Sequence, residues 1–232
     1  ASTVHVVDIG GIGFSPDSGQ VFEEGLCIPI TKLFSAGESN EQLFEIIRAN
    51  VREPEQVVGD LYSLASSNDV GARHLRDLMR EANIREIVQL GKHIISVSHD
   101  AMKNAVRTLP PGVYENIMTV DGYDRPITLA GRLEIREDMI IVDYSGSSPA
   151  SSFGINVPLT YARAYTSFGL HCIIGGGVPN NAGSLAVIEV TAPHGSILNA
   201  PRPYAVNVRH VIGQMLPDVV LGCLGQALPG LV

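Results

Sequence analysis

Charged residues are scarce in this chain. They make up 17% of the 232 residues, against 45% apolar, which is little charge for a surface that faces water on every side. Part of the surface is therefore expected to lie against another subunit or against another part of a longer chain. Basic residues are the scarcer kind, 16 Lys and Arg against 24 Asp and Glu. They are scattered singly, which argues against a nucleic-acid partner. Cysteine is limited to Cys27, Cys172 and Cys223, an odd number without metal-ligand spacing, so the pattern builds neither a disulfide framework nor a zinc site. A reducing cytoplasm fits, with the three thiols read as small core residues.

Other absences narrow the reading further. No basic and apolar leader block opens the sequence. The longest apolar run, "VIGQMLPDVVLGCLGQALPGLV" at 211–232, is broken by Pro217 and Asp218, which predicts two buried helical pieces and no membrane span. Because that run stops without a polar tail, the chain is expected to continue beyond it. There is no G-x-S-x-G elbow, and no Ser-His-Asp set can be picked out by position. The glycine-rich "GGGVPNNAG" at 175–183 is not followed by Lys-Ser/Thr, so it reads as a turn-rich loop and not as a phosphate cradle.

What is present indicates an α+β fold: an antiparallel sheet, a long helical hairpin over about 55–109, and additional helices, with the sheet-containing part over about 112–232. Residues 2–9 read as a strand and a short strand is expected near Leu26–Ile30. Ser39 with Gln42 forms a capping-box pattern ahead of a helix carrying Leu43, Ile46 and Ile47. Val57, Leu61, Leu64, Ala72, Leu75, Leu78 and Ala82 keep a step of three to four residues, predicting one long helix over 55–83. A second covers Arg85–Leu109, with Ile87, Val88, Ile94, Ile95 and Met102 on its apolar face, and Pro110 and Pro111 end it. An antiparallel meander follows, with Ile127, Leu129, Leu133 and Ile135 at alternate positions. A helix over Leu159–Cys172, a strand over Leu185–Thr191 and a closing helix from Ala205 complete the pattern.

The opening "HVVDIGG", residues 5–11, is the first candidate site. His5 and Asp8 stand three apart, so on a regular strand they point to opposite faces. If the turn starts at Asp8, as Gly10 and Gly11 indicate, His5 faces a cleft and Asp8 orients it or caps the turn. His99 and Asp100, adjacent on the second long helix with His74 and His93 upstream, loosely resemble the metal pair of HD-type phosphohydrolases. A histidine next to an apolar helical face is more often a packed one.

Taken in order, "HVVDIGG", "EEGLCIPITKL", "ANVREPEQVVGDLYSLASSNDVGARHLRDLM", "VDYSGSS", "GINVPLTYA", "VPNNAGSLAVIEVTAPHGSILNAPRPYAV" and "ALPG" resemble the middle of the hydantoinase B/oxoprolinase family. The resemblance covers nearly all of the chain. It implies an internal segment of a larger hydantoinase B-type domain, from a family that includes the B subunit of ATP-dependent N-methylhydantoinase, the matching half of 5-oxoprolinase and the α subunit of acetone carboxylase. It also implies a divalent metal, Mn or Zn, with His5 as one ligand and the other ligands in a Thr-His-Leu-Pro-Asp-like motif ahead of Ala1. Asp8 would be the catalytic acid group that supports His5, and Gly10, Gly11, Asn156 and Asn181 would bind substrate. Glu24 and Asp143 hold family-like positions without an assigned role. ATP would be spent in a hydantoinase A-type partner with an actin-like nucleotide site, giving a hetero-oligomer that acts on a small molecule, with no nucleic acid and no membrane. The expected activity is metal-assisted hydrolysis of an activated cyclic amide of the hydantoin or 5-oxoproline type. An acetone carboxylase-like carboxylase and a non-catalytic assembly module are the alternatives.

Overall fold

A computed structural model of the chain describes residues 9–230. After a glycine-rich loop and a single 3-10 turn at Val21–Glu23, a two-stranded ribbon forms from β1 (Phe34–Ser35) and β2 (Glu38–Ser39). Helices α1 (Glu41–Asn50), α2 (Pro54–Glu81) and α3 (Ile87–Arg107) follow, then strands β3 (Gly112–Val120), β4 (Ile127–Ile135) and β5 (Ile140–Asp143). The remainder is α4 (Leu159–Ile174), α5 (Ala182–Leu185), β6 (Ile188–Thr191), α6 (His210–Gly213) and α7 (Leu216–Ala227). This is the mixed α+β architecture that the sequence patterns predict.

Local chemistry accounts for most element boundaries. Pro54 and Pro217 stand in the first turns of α2 and α7, where a missing N–H costs nothing. The apolar run at 211–232 accordingly becomes two short helices. Among the described residues, no helix is long and apolar enough to cross a membrane. The α1 cap falls one residue later than the Ser39/Gln42 pattern places it: the Asn40 side chain accepts the Leu43 N–H at 3.2 Å, while Ser39 Oγ donates to Glu41. The stretch Leu26–Ile30 is not a strand, and pairing occurs only at 34–35 with 38–39. The strand expected at 2–9 lies outside the described residues.

The main sheet has the order β3-β4-β5-β6. The first three strands form the antiparallel meander, with Val120 opposite Ile127 across the first turn. β6 adds parallel to β5 because the chain crosses over through α4 and α5 before returning. Burial alternates along β4, so Ile127, Leu129 and Leu133 are fully enclosed. Gly131 lies on the same buried face of β4. A Cβ there would stand 2.7 Å from a Val219 methyl, so the glycine lets α7 seat directly on the sheet. Cys223 of α7 is buried and points its thiol at the Gly131 carbonyl at 3.4 Å; burial pushes that thiol up to about 11. It is the core cysteine that the composition predicts. Cys27 and Cys172 are exposed instead, since each falls on an outward-facing position of its segment. Behind the sheet, the buried Tyr144 hydroxyl meets Thr166 Oγ1 at 2.7 Å, and burial raises the phenol well above its ordinary value.

The two long helices follow one another through a short connection in which Asn83 takes positive φ (51°). Their packing partners differ. α3 packs on α5 and α4, whereas α2 packs on α1. Along α3 the enclosed residues are Ser98, Met102 and Val106, and Val88, Ile94, Ile95 and Val97 remain exposed.

Candidate functional site

The stretch after "HVVD" forms a tight loop. Gly10 and Gly13 adopt positive φ (71° and 77°), a region that favours glycine. A Cβ on Gly11 would lie 2.7 Å from the Glu23 carbonyl oxygen. The loop bounds a cavity of about 100 Å³ lined by Ile9, Gly10, Gly11, Gly13, Glu23, Glu24 and Arg52. Gly10 and Gly11 thus bring bare backbone to the cavity wall. His5 and Asp8, the predicted metal ligand and acid group, lie outside the described residues, and the loop is where the chain emerges from them.

Glu24 is the chemically distinctive wall of this cavity. One carboxylate oxygen, Oε1, accepts the backbone N–H groups of Val206 and Asn207 at 2.5 and 2.7 Å. The other oxygen has no hydrogen-bond donor among the described residues. The Asn207 side chain continues the clamp, its Nδ2 donating to the carbonyls of Gly13 and Ser15 and to Ser18 Oγ. Val21 N–H bonds to the Pro203 carbonyl at 2.9 Å, and Gly154 N–H to the Pro16 carbonyl at 2.7 Å. Phe14 stacks on His210 with ring centroids 5.2 Å apart. Residues 9–24 are therefore fixed between two loops far away in sequence.

Burial raises the Glu24 carboxyl above its ordinary range. The two backbone N–H groups and Arg209 only partly offset the rise, and Glu23 adds to it. A carboxyl that holds its proton more tightly folded than unfolded favours the fold most below its unfolded pKa, and that contribution is lost as pH rises through the raised folded value. Glu24→Gln keeps an acceptor oxygen for both N–H groups and removes the ionisation. The variant is expected to be at least as stable as the parent at neutral pH, and the difference closes below about pH 4. Urea midpoints at the two pH values check this; a variant weaker than the parent at neutral pH would show that the carboxylate charge itself holds the loop.

The two asparagines predicted to contact substrate sit elsewhere and are occupied. Asn156 is fully buried. Its Oδ1 accepts the Ser151 N–H at 2.7 Å, and its Nδ2 donates to the carbonyls of Ser151, Phe153 and Ala205 at 2.8–3.0 Å. No side-chain atom is left for a ligand, so Asn156 braces the 151–156 loop against the 203–208 loop that Glu24 grips. Asn181 caps α5, its Oδ1 accepting from Gly183 and Ser184, and its Nδ2 donates to Ser98 Oγ on α3 at 2.8 Å. Asp143 Oδ1 accepts from the Ser145 N–H and hydroxyl at the end of β5, closing a turn. His99 Nδ1 lies 3.4 Å from the Asp100 carboxylate on an exposed helix surface. Among the described residues no group of three or more His, Cys, Asp or Glu side chains could hold a metal ion, around that pair or elsewhere. A larger groove of about 760 Å³ between α4 and β6, bordered by Arg163, Phe168 and His171, is lined by none of the predicted site residues. Asn207 carries no signal in the sequence, because nothing local marks it and its partners stand about 190 positions away.

Fold and site together define an α+β unit organised around a clamped, glycine-lined cleft. The chain matches the family model described as hydantoinase B/oxoprolinase over residues 1–232, and it belongs to that family. It is 26% identical to the B subunit of a putative D-/L-hydantoinase from a Pseudomonas strain, covering 98% of this chain and 42% of that one. It is 28% identical to the beta subunit of the caprolactamase of Pseudomonas jessenii, covering 97% of this chain and 40% of that one. The chain therefore spans about two fifths of the length of these relatives. The crystal structure of the ATP-dependent caprolactamase from the same organism superposes with a TM-score of 0.85 at 26% identity, over 97% of this chain and 40% of that one. The nucleotide-free structure of an acetone carboxylase superposes with a TM-score of 0.84 at 15% identity, over 97% of this chain and 32% of that one. The second likeness is one of fold.

Proposed function

We propose that this chain forms part of the B-type component of an ATP-dependent cyclic-amide hydrolase, in a cytoplasmic hetero-oligomer with a hydantoinase A-type partner that spends the ATP. The carrying observation is the clamped Gly10–Gly13 loop, which bounds a cavity together with the Glu24 carboxylate and follows His5 and Asp8 in sequence. Relatives named as components of a hydantoinase and a caprolactamase, and as 5-oxoprolinases, support the class of substrate. A divalent metal, Mn or Zn, would be held by His5 with ligands contributed from outside these residues, because the described acids beside the cleft, Glu23 and Glu24, do not make a ligand set alone. Such a metal polarises a carbonyl and lowers the pKa of a bound water. The chain's own share is to orient His5 through Asp8, to admit the substrate's ring against a backbone without side chains, and to keep a carboxylate at the cleft wall.

The test uses the full-length protein with its ATP-consuming partner, offered hydantoins, 5-oxoproline, caprolactam, and acetone with bicarbonate. ATP turnover stimulated by a cyclic amide is the expected result. Stimulation by acetone and bicarbonate alone would move the reading to the carboxylase, and stimulation by none would overturn both. In the same protein His5→Ala is expected to lose the bound metal and more than about 100-fold in turnover. Unchanged metal content and activity would support an assembly module instead.

A further inference from the structure

The cavity at the glycine loop has walls of different origin. Gly10, Gly11 and Gly13 supply bare backbone on one side, and Glu24 supplies a carboxylate on another. Asn207 is not among the residues that line the cavity, yet it is bonded to both walls. Its backbone N–H donates to Glu24 Oε1 at 2.7 Å, and its side-chain Nδ2 donates to the Gly13 carbonyl. One residue outside the cavity thus fixes the two walls relative to each other.

The surroundings leave that side chain no other employment. Nδ2 also faces the Ser15 carbonyl at 3.3 Å and Ser18 Oγ at 3.4 Å, so an amide group with two N–H donors meets three acceptors. The backbone closes in from the side: a Cβ built on Gly154 would stand 3.5 Å from the Asn207 Cβ and 3.3 Å from the Pro16 carbonyl oxygen. Shape alone does not satisfy this site. An aspartate has the same outline, but ionised it offers only acceptors to a ring of acceptors.

The Gly13 wall depends on this bond more than the Glu24 wall does. A Cβ on Gly13 would meet nothing within 4 Å, so a hydrogen bond and not packing locates that point of the loop. Glu24 is held by backbone N–H groups, which survive any side-chain substitution at 207 except proline. Changing the Asn207 side chain therefore releases one wall and leaves the other in place. In a cavity of about 100 Å³ a small displacement is large relative to the group inside. A shift of about 1 Å from the reacting geometry costs up to roughly 100-fold in rate.

We infer that Asn207 is a positioning residue for the reaction: its side-chain donor to Gly13 and its backbone donor to Glu24 hold the cleft walls at the separation that turnover requires. The inference rests on the cleft being the place where the cyclic amide reacts.

The test uses the full-length protein with its ATP-consuming partner, carrying Asn207→Asp or Asn207→Ala, and measures cyclic-amide-dependent turnover against amide concentration. Because Asn207 acts through the walls and not on the substrate, both variants are expected to lose roughly 30-fold or more in kcat with KM within about threefold. An Asn207→Asp protein with the parent's kcat would reduce the side chain to a space filler and overturn the inference, as would a loss confined to KM. Gly183→Ala strains the contact of α5 with α3 and leaves the clamp intact, so its kcat per folded molecule is expected to match the parent's; an equal loss there would also overturn the inference. A parent that turns over no cyclic amide would sink the reading of the cleft itself, and hydrogen exchange separates that failure from this one. In Asn207→Asp the amides of residues 10–13 are expected to exchange about tenfold faster while those of β4 stay unchanged. Equal exchange in the loop would show that Asn207 does not hold it, whatever the activity.

Discussion

Asn156→Ala is expected to lower the unfolding free energy by about 4 kcal/mol. The substitution removes one acceptor and the donor to three carbonyls in a fully buried site. Each buried polar group left without a partner costs roughly 1–3 kcal/mol, and loss of a whole buried network belongs to the small set of changes that exceed the usual mutational effect. At about 2–4 °C per kcal/mol for a chain of this size, the melting temperature should fall by roughly 8–16 °C. The damage should also spread. The Ala205 carbonyl that Asn156 holds lies one residue from the Val206 N–H that Glu24 accepts, so hydrogen exchange in the Gly10–Ser18 loop should quicken with the loss of stability. A melting shift of a degree or two would refute the reading of Asn156 as a brace and reopen a role at the ligand.

Gly183→Ala is expected to cost about 3 kcal/mol although it adds a single methyl group. The new carbon would stand 2.0 Å from the Ile95 carbonyl oxygen of α3 and 2.9 Å from its carbon. Backbone cannot rotate away as a side chain can, so α5 must lift off α3, and the Asn181–Ser98 bond at 2.8 Å goes with it. Overpacking in tight sites costs 1–3 kcal/mol, occasionally more, and this site sits at the upper end because both contacting groups belong to regular elements. Denaturant midpoints for Gly183→Ala beside Gly177→Ala, which meets nothing within 4 Å, check the assignment. Equal midpoints would sink it.

These two positions also show what can be read from the sequence and what cannot. Helices α2 and α3 are legible because their apolar residues recur every three to four positions, and β4 because Ile127, Leu129, Leu133 and Ile135 alternate. Each is a local signal. The "GGGVPNNAG" turn also looks local, and the sequence holds no hint that Gly183 is a glycine on account of Ile95, 88 positions earlier. The same holds for Asn156 and Asn207. An asparagine in a loop is chemically ready for substrate or for carbonyl groups, and only the tertiary arrangement decides between them. The parallel addition of β6 escapes for a similar reason, since strand direction in a sheet depends on how the chain returns and not on what the strand contains. At the cleft, the tight turn of "HVVDIGG" follows from its glycines, whereas the Glu24 clamp depends on backbone N–H groups more than 180 positions away.

That separation has a consequence for how the chain acquires its cleft during synthesis. Contacts between residues far apart in sequence require a large loop to close before they repay its entropy, and such contacts slow folding. Residues 9–24 leave the ribosome well ahead of their anchors at Pro203, Val206 and Asn207. Helices α1 to α4 and the pairing of β3, β4 and β5, all complete before residue 203, can form in the meantime. The glycine loop is therefore the late step: a nascent chain stalled before residue 203 should expose residues 9–24 to protease while β3, β4 and β5 are already protected.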